Sequence, residues 1–207
     1  MIARILLFIK HRIPWLWVGI DWLNARLYRI LHQKNMAQKA ERAFDKFELD
    51  GFEFRPLVQA DLSDLKALLE RQKSGRLEYF RPHGFDYASL RKMYANPAFL
   101  MFGVFSEQRM IGYFFLRCFW NQKCFVGRLL DEPFEGKGIG RVMNQIMYNT
   151  AWWSGFRCFT SISRNNQWIM RAHAKNPHAR FVAELANGYQ LVEFIPLTVQ
   201  DSQSGKR

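Results

Sequence analysis

The sequence predicts an α/β fold in which a β-sheet is flanked by helices and preceded by a helical extension. Apolar stretches of strand length alternate with stretches of helical apolar periodicity between about residues 51 and 196. In the middle of that region, three glycines at alternate positions join a predicted strand to a predicted helix. We therefore expect an extension over residues 1–50, one domain over residues 51–196 and a short polar tail over residues 197–207.

Local signals place the elements of this domain in the order βααβββαβαββ. Asp61 is placed to cap the first helix, Pro97 to end the second, and Asn187-Gly188 predicts the last hairpin. A turn over residues 106–109 is expected to join two central strands. The predicted strands cover residues 52–58, 99–105, 110–120, 124–130, 156–162, 180–185 and 189–195, and the helices follow Asp61, cover residues 89–94, follow the glycines and cover residues 167–174.

The segment from Leu129 to Arg141 is the most informative part of the chain. An apolar strand runs through a short loop into a helix, so free backbone N–H groups and the positive end of the helix surround a small space. Such a space suits phosphate, and glycine allows a ligand to approach the backbone closely. The segment is not a P-loop, because Lys137 is followed by Gly138. Its G-x-G-x-G spacing also differs from the dinucleotide fingerprint.

This segment and the order of elements resemble the GNAT-type N-acyltransferases, whose pyrophosphate loop runs Gln/Arg-x-x-Gly-x-Gly/Ala. Gly138-Ile139-Gly140 fills the glycine part in register, and the resemblance covers about residues 51–196. It implies a central mixed sheet and acetyl-CoA as cosubstrate. Glu135 stands at the Gln/Arg position, so Lys137 and Arg141 are expected to compensate for its charge. By resemblance, the cofactor-binding residues are Leu129, Leu130, Glu135, Gly136, Lys137, Gly138, Ile139, Gly140, Arg141 and Asn166.

A second motif of this family, Asn-x-x-Ser/Ala-x-x-x-Tyr/His, is matched in part. Asn166 is followed seven residues later by His173, but the Ser/Ala position and the Gly-Phe pair that follows in the family are missing. The resemblance implies that the pantetheine arm lies between the fourth and fifth strands and that the N–H of Leu130 binds the acetyl oxygen. It implies that His173 protonates the leaving thiolate and that Asn166 orients the cofactor or a water. The alternative is that His173 is a surface histidine.

The base for the reaction is the least defined part of the predicted site. An amine acceptor is mostly protonated at pH 7, so some group has to take its proton. Asp131 and Glu132 follow the fourth strand and are expected close to the thioester. Glu78 and His83 lie in the segment 78–85, which by resemblance forms the acceptor-binding region and is rich in groups suited to a sugar or polar amine. The alternative is a surface loop with a structural proline.

Composition limits the function classes. Hydrophobic residues make up 49% of the chain, which excludes general disorder. Cys118, Cys124 and Cys158 form no paired motif, so we expect reduced, core-filling thiols in a cytoplasmic protein. No zinc-ligand spacing is present, and no metal is expected. The net charge of +12 favours anionic partners such as CoA, without any signature of specific nucleic-acid binding.

Residues 1–50 do not follow the pattern of the domain. Aromatic residues are mixed with Arg and Lys through residues 1–31, and the longest uncharged run, residues 13–20, is far too short to span a bilayer. Residues 1–35 are expected either to lie as an amphipathic segment on the cytoplasmic face of a membrane or to pack as helices on the domain or on a second subunit. Residues 35–46 are expected to be a polar helical connector.

The leading hypothesis is an N-acetyltransferase that acts on a small amine, preferably an amino sugar or sugar nucleotide of envelope or polysaccharide synthesis. The aromatic acceptor segment, the histidine that ends the second motif and the expected membrane contact favour it. Two alternatives stay open. One is acetylation of a protein N-terminus or lysine, which the basic balance of the chain mildly opposes. The other is a non-catalytic protein that binds CoA or a partner. A homodimer is also left open.

Overall fold

The computed structural model describes residues 14–73, 75–185 and 188–197. Its α-helices are α1 (Pro14–Leu31), α2 (Gln33–Lys46), α3 (Leu62–Glu70), α4 (Tyr87–Tyr94), α5 (Ile139–Trp153) and α6 (Gln167–Ala174). Its strands are β1 (Glu53–Pro56), β2 (Phe99–Ser106), β3 (Arg109–Cys118), β4 (Lys123–Leu130), β5 (Arg157–Ser163), β6 (Ala179–Leu185) and β7 (Tyr189–Phe194). From β1 onward, this order confirms the predicted βααβββαβαββ arrangement.

The strands form one mixed sheet in the order β1-β2-β3-β4-β5-β7-β6. All neighbouring pairs are antiparallel except β4 and β5, which run parallel because α5 crosses over between them. The predicted α/β class, with a central mixed sheet flanked by helices, is therefore confirmed. Leu185 pairs with Tyr189, which confirms the last hairpin, although Asn187 lies outside the described residues.

The parallel strands β4 and β5 separate soon after they begin. They pair at only three positions, from Lys123 opposite Arg157 to Phe125 opposite Phe159. Beyond these positions, β4 continues to Leu130 along β3, whereas β5 pairs with β7. In the described part of the chain, the later backbone groups of β4 that face β5 therefore have no strand partner. A V-shaped opening results in the middle of the sheet.

Side chains alternate between the two faces of the sheet and build an apolar cluster on each. In β3, Phe114 joins the cluster beneath α5, whereas Tyr113 and Phe115 join the cluster beneath α3 and α4. Helix α5 buries the apolar residues that recur along one of its sides, namely Ile139, Val142, Met143, Ile146 and Met147. The sheet thus has an α5 face and an α3–α4 face, and the opening between β4 and β5 connects them.

Residues 35–46 are helical, as predicted, but the helix packs into the core, so the prediction that it is a polar connector was wrong. Met36, Ala40 and Ala43 of α2 are each at most 4% exposed, and they join the cluster on the α5 face. Their spacing of four and three residues is the helical apolar pattern. The small size of alanine and the many charged neighbours hide this pattern in the sequence.

Helix α1 is fixed to the sheet by its inward side. Tyr28 is buried, and the side chain of Asn24 donates to the carbonyl of Cys118 and accepts the N–H of Trp120. The described part of the extension therefore packs on the domain, which was one of the two expectations; residues 1–13 lie outside the described residues. Among the helices that the structure describes, none combines the length and the apolar character that crossing a bilayer requires.

Three cysteines form a row across the closed end of the opening. Cys118 on β3 lies opposite Cys124 on β4, which lies opposite Cys158 on β5. All three are buried free thiols. Burial, reinforced by the neighbouring Cys124, raises the pKa of the Cys118 thiol. Thiols in this state are poor nucleophiles, so the geometry gives the row a packing role, with Tyr28 of α1 lying against Cys118.

Two local predictions differ from the structure. Asp61 does not cap α3 with its side chain; its carboxylate accepts the N–H of Val58 at 2.7 Å and pairs with Arg55 at 2.6 Å. The turn between β2 and β3 has two residues rather than four. Glu107 and Gln108 take positive φ angles of 49° and 67°, which match the twist of a tight hairpin, and the positions on either side of them pair as strands.

Candidate active site

The loop after β4 presents backbone N–H groups around the start of α5. Gly136 and Gly138 have φ angles of 76° and 86°, which residues with a side chain rarely adopt. Gly138 is the N-cap of α5 and has no side chain to satisfy the first N–H groups of the helix. Within the described residues, the N–H groups of residues 136–140 donate no well-formed hydrogen bond to a backbone acceptor. At the positive end of a 15-residue helix, this arrangement suits an anion.

The negative charge of Glu135 is balanced by a residue that the sequence analysis did not single out. Arg76 pairs with the Glu135 carboxylate at 2.6 Å and donates to the carbonyl of Leu130 at 2.9 Å. Arg76 is 59 positions away in the chain, so no local spacing predicts the pair. Lys137, which was expected to compensate, lies over the ring of Phe134 at 5.0 Å from its centroid. The negative charge of Glu135, which would disfavour an anion at the loop, is therefore neutralised by Arg76.

Arg128, which was also not predicted as a site residue, adds a second positive charge beside the loop. Its side chain leaves β4 on the α5 face, where Nε donates to Asn144 at 3.0 Å. The guanidinium packs on Gly140, since a Cβ there would lie 2.7 Å from Nη1. Surrounding protein lowers the pKa of Arg128, although the side chain still reaches solvent. No carboxylate of the described residues forms an ion pair with it.

The N–H of Leu130 faces the opening. The next residue, Asp131, donates its N–H to the carbonyl of Ile111 on β3 at 2.8 Å. Successive N–H groups of a strand point to opposite sides, so the N–H of Leu130 points away from β3 and toward β5. At this level β5 is not paired with β4. The backbone therefore offers a donor at the position that the resemblance assigns to binding the acetyl oxygen.

His173 and Asn166 lie at α6. The ring of His173 packs against Phe194 on the α5 face, with 5.3 Å between centroids. Burial, reinforced by the positive charge of Arg128, lowers the pKa of His173 to about 4. His173 is therefore uncharged near pH 7 and does not hold an extra proton for a leaving thiolate. Asn166 is the N-cap of α6, and its side-chain oxygen accepts the N–H of Ile169 at 3.2 Å.

Asp131 is a buried carboxylate with both oxygens engaged. One oxygen accepts from Arg71 Nε at 2.7 Å and the other from the Gln72 amide at 2.7 Å, while Arg109 lies 3.7 Å away. The two short contacts and the burial hold this carboxylate between side chains of the protein itself. The geometry instead shows Asp131 tying the end of α3 to the end of β4.

Glu132 and Glu78 are both exposed. Glu132 pairs with Lys73 at 2.6 Å, and this interaction lowers the pKa of the Glu132 carboxyl group. A carboxylate with a lowered pKa is a weaker base. In the described part of the chain, Glu78 has no ion pair, and a hydrogen bond to Glu78 raises the pKa of the neighbouring Tyr79. Three acidic residues were predicted as the base, namely Asp131, Glu132 and Glu78. Of these, only Glu78 has no ion pair with a described residue.

His83 lies on the α3–α4 face, across the sheet from His173. Its Nδ1 is 2.8 Å from the carbonyl of Gly84, and its Nε2 is 2.9 Å from the hydroxyl of Tyr113. A carbonyl only accepts, so Nδ1 carries the hydrogen and Nε2 accepts from Tyr113. Burial lowers the pKa of His83. Both ring nitrogens are therefore engaged by the protein.

Aromatic rings line the opening on the α3–α4 face. A Cβ at Gly127 of β4 would lie 2.7 Å from the ring of Phe115 and 3.6 Å from that of Phe80, so the predicted acceptor segment covers this part of β4. The neighbouring rings of Phe125 on β4 and Phe159 on β5 are 6.0 Å apart. Aromatic faces attract cations, and an amine acceptor is a cation before it loses its proton.

Comparison with solved structures identifies the fold. No protein-family model and no curated protein matches the chain. The GNAT domain of PAT from S. lividans superposes with a TM-score of 0.60 at 12% identity, covering 68% of this chain and 88% of that chain. RimL, a ribosomal L7/L12 alpha-N-protein acetyltransferase, gives 0.57 at 18% identity, covering 72% and 92%. AAC(6')-Ib, solved with paromomycin and acetyl-CoA, gives 0.55 at 17% identity, covering 76% and 99%.

The chain has the GNAT fold. The resemblance that the glycine loop suggested is thus confirmed at the level of the fold, with its splayed parallel strands and its mixed sheet. Identities this low show the fold alone, so the roles of individual residues stay predictions.

In this GNAT-fold protein, the residues of the predicted cofactor loop lie together, whereas Asn166 caps α6 and the predicted catalytic residues are dispersed. The loop from Glu135 to Arg141 and the N–H of Leu130 lie around one end of the opening. Asp131 is tied to α3, whereas His173 and His83 lie on opposite faces of the sheet. The missed residues, Arg76 and Arg128, carry no sequence signal beyond a positive charge in an otherwise unremarkable place.

Two cavities lie away from this end of the opening. One, of about 520 Å³, is bounded by α2 and the edge strands β1 and β2 and is mostly apolar. The other, of about 260 Å³, lies beside His83 and Arg117. No residue of the glycine loop lines either of them. The opening between β4 and β5 is a cleft that is open along its length rather than an enclosed cavity.

Proposed function

We propose that this GNAT-fold protein is an N-acetyltransferase that moves the acetyl group of acetyl-CoA to the amine of a small molecule. One observation carries the proposal. The free edge of β4 lies directly beside the N–H groups that begin α5. That edge suits a thioester arm, and those N–H groups suit a diphosphate. Acetyl-CoA carries both groups in one molecule.

The residues around the opening fit acetyl-CoA. Glycines with positive φ let a diphosphate approach the backbone, and Arg128, Lys137 and Arg141 supply positive charge. Arg141 stands in the first turn of α5, where a cation is unfavourable without a neighbouring anion. The N–H of Leu130 would stabilise the negative charge that develops on the acetyl oxygen. Acetyl-CoA, when bound, supplies the acetyl group as a reactive thioester.

We assign proton transfer to side chains that have the fewest ion pairs and hydrogen bonds within the protein. The acceptor has to lose a proton before its amine attacks, and the leaving sulfur has to gain one. We assign the first step to Glu78, since both oxygens of Asp131 are occupied and Glu132 is paired with Lys73. His173 is uncharged, so its one N–H can stabilise the leaving thiolate only as a hydrogen-bond donor. The proton that the sulfur gains comes from the acceptor nitrogen, which has to lose one after it has attacked the thioester.

An amino sugar or sugar nucleotide is the acceptor class we favour. The half-buried rings of Phe80 and Phe125 give the acceptor side flat apolar surfaces, against which a sugar ring packs and an ammonium group is attracted. Similarity to AAC(6')-Ib, which was solved with paromomycin, supports this class, because paromomycin is a polyamine built from sugars. The small molecule would come from envelope or polysaccharide synthesis.

Acetylation of a protein N-terminus is the second candidate. Similarity to RimL, an alpha-N-protein acetyltransferase, favours it. Against it, a peptide acceptor with a basic sequence would meet a strongly basic chain, which has a net charge of +12.

The place of action we propose is the cytoplasm, where acetyl-CoA is made and where the buried thiols would stay reduced. A homodimer also stays a prediction, which light scattering would test.

Release of free thiol from acetyl-CoA tests the function. The full chain is incubated with acetyl-CoA and separate panels of amino sugars, polyamines and peptides. We expect thiol release above the hydrolysis background with amino sugars. Release only with peptides would favour the second candidate. Binding of CoA without release in any panel would leave a non-catalytic CoA-binding protein.

A matched pair of glycine variants tests the site of binding. Gly136→Ala and Gly155→Ala place the same side chain at φ angles of 76° and 81°, at opposite ends of α5, with no close contact at either site. Their cost to folding should be similar. Only Gly136→Ala should weaken CoA binding in calorimetry, by about tenfold, because it disturbs the N–H groups at the start of α5. Equal affinities in the two variants would place the diphosphate elsewhere.

A further inference from the structure

Helix α1 has an outer face that is both apolar and basic, and we propose that this face docks on the surface of an anionic lipid bilayer. The inward side of α1 is occupied by the sheet through Asn24 and Tyr28. The large apolar residues on the opposite side are each more than half exposed, and two exposed arginines lie among them. The α1 outer face therefore consists of Val18, Trp22, Leu23, Arg26, Arg29 and Ile30.

The charge of the α1 outer face has one sign. The acidic residue of α1, Asp21, is turned inward and pairs with Arg117 of β3 at 3.2 Å. Arg26 lies over the ring of Trp22 at 5.6 Å, so the aromatic and basic groups are neighbours. A face that combines a tryptophan, branched apolar side chains and arginines matches the boundary between headgroups and acyl chains of an anionic bilayer.

A second copy of the chain fits this face less well than lipid does. In a two-fold dimer the same patch meets itself, so Arg26 and Arg29 of one chain would face those of the other. No acidic residue on the α1 outer face offsets that repulsion. The sequence that precedes α1 continues the same composition, since residues 1–13 contain apolar residues with Arg4, Lys10 and Arg12. Lipid phosphates complement this charge, whereas a second copy repeats it.

Binding of the full chain to vesicles tests the proposal. We expect the protein to sediment with vesicles that contain phosphatidylglycerol and not with pure phosphatidylcholine, and to be released by salt. Arg26→Glu with Arg29→Glu should lower the binding constant at least about 25-fold, from about fivefold for each arginine near an anionic surface. Trp22→Glu with Ile30→Glu should lower it by a similar factor because apolar burial is lost.

Two control pairs match these changes away from α1. Arg91→Glu with Lys92→Glu on α4 lowers the net charge equally, and Val58→Glu with Tyr87→Glu replaces two exposed apolar side chains. Both controls should retain vesicle binding to within about threefold. Protection of the buried cysteines from a thiol reagent shows that each variant is folded.

Deleting residues 1–35 is a poorer test, because it removes Tyr28 from the core. The proposal is overturned if the chain does not bind anionic vesicles, or if the α1 variants bind as well as the controls. It is also overturned if these variants instead convert a dimer to a monomer in light scattering, which would assign the α1 outer face to a second copy. Loss of vesicle binding with retained acetyl transfer would support it, and acetyl transfer itself is measured separately without vesicles.

Discussion

The two sides of the opening between β4 and β5 are built from different parts of the chain. On the α5 side, the proposed anion site consists of backbone N–H groups supplied by one short loop. On the α3–α4 side, the geometry depends on side chains that meet from distant positions, such as His83 with Tyr113 and Arg71 with Asp131, which are 30 and 60 residues apart. A site made of backbone follows from local sequence, whereas a site made of side-chain pairs follows from the whole fold.

The largest effect is expected at the junction of the two sides. Asp131→Asn should lower the free energy of unfolding by about 3 kcal/mol, because Arg71 loses its charged partner in a largely buried place. Urea denaturation measures the change. If Asp131 is structural, the turnover number per folded molecule should fall less than about tenfold. A loss of 100-fold or more would make Asp131 the base and contradict a purely structural role for this carboxylate.

On the α5 side, Arg128→Ala should raise the dissociation constant for CoA about thirtyfold. The reason is the loss of one charge-assisted contact of about 2 kcal/mol to a phosphate. Calorimetry measures the change, and Arg91→Ala on α4 serves as the control for general charge. Arg128→Lys should recover part of the affinity, because it keeps the charge without the fork of the guanidinium. Unchanged affinity in Arg128→Ala would leave the backbone alone as the anion site.

The pH dependence of stability tests the environment of His173. Its pKa of about 4 in the folded chain lies below the ordinary value near 6.5, so the unfolded chain takes up a proton first as the pH falls. Stability is therefore fully present above about pH 6.5 and is lost between about pH 6.5 and 4. His173→Phe should lose about 1.5 kcal/mol less than the wild type between pH 7 and 5. Equal losses, measured by urea denaturation, would place His173 in water.

The smallest effect comes from the pair that joins the two sides. Arg76→Ala should weaken CoA binding about fivefold, because it leaves the charge of Glu135 unbalanced beside the N–H groups. Glu135→Gln in the same chain should restore the affinity. Calorimetry of the two single variants and the double variant measures the coupling. Additive losses would mean that Arg76 touches the ligand directly rather than acting through Glu135.

The order of elements could be predicted from the sequence because each element has its own local signal. Apolar stretches of strand length predicted the strands of the sheet. The helix at residues 167–174 was predicted with the bounds that the structure shows. The burial of Ala40 and Ala43 was not predicted, because alanine gives little hydrophobic contrast among charged neighbours. The final hairpin was predicted from Asn187-Gly188, but its insertion beside β5, with β6 at the edge, depends on tertiary pairing.

The candidate site divides in the same way. The glycine loop was predicted because glycine is needed where φ is positive, and this requirement is visible in the sequence. The balance of charge was not predicted, since Glu135 is paired by Arg76 rather than by Lys137. The low pKa of His173 also escapes the sequence, because it depends on burial and on Arg128, which lies on another element.

The row of buried cysteines beneath Tyr28 can be used to measure whether α1 is packed on the sheet. Cys118, Cys124 and Cys158 are shielded from solvent on one side by the sheet and on the other by helices that include α1. A thiol reagent is therefore expected to reach Cys118 faster in molecules whose α1 has lifted from the sheet. The rate of labelling at Cys118, compared with that of the unfolded chain, measures how often this side of the sheet opens, without any added probe on the surface.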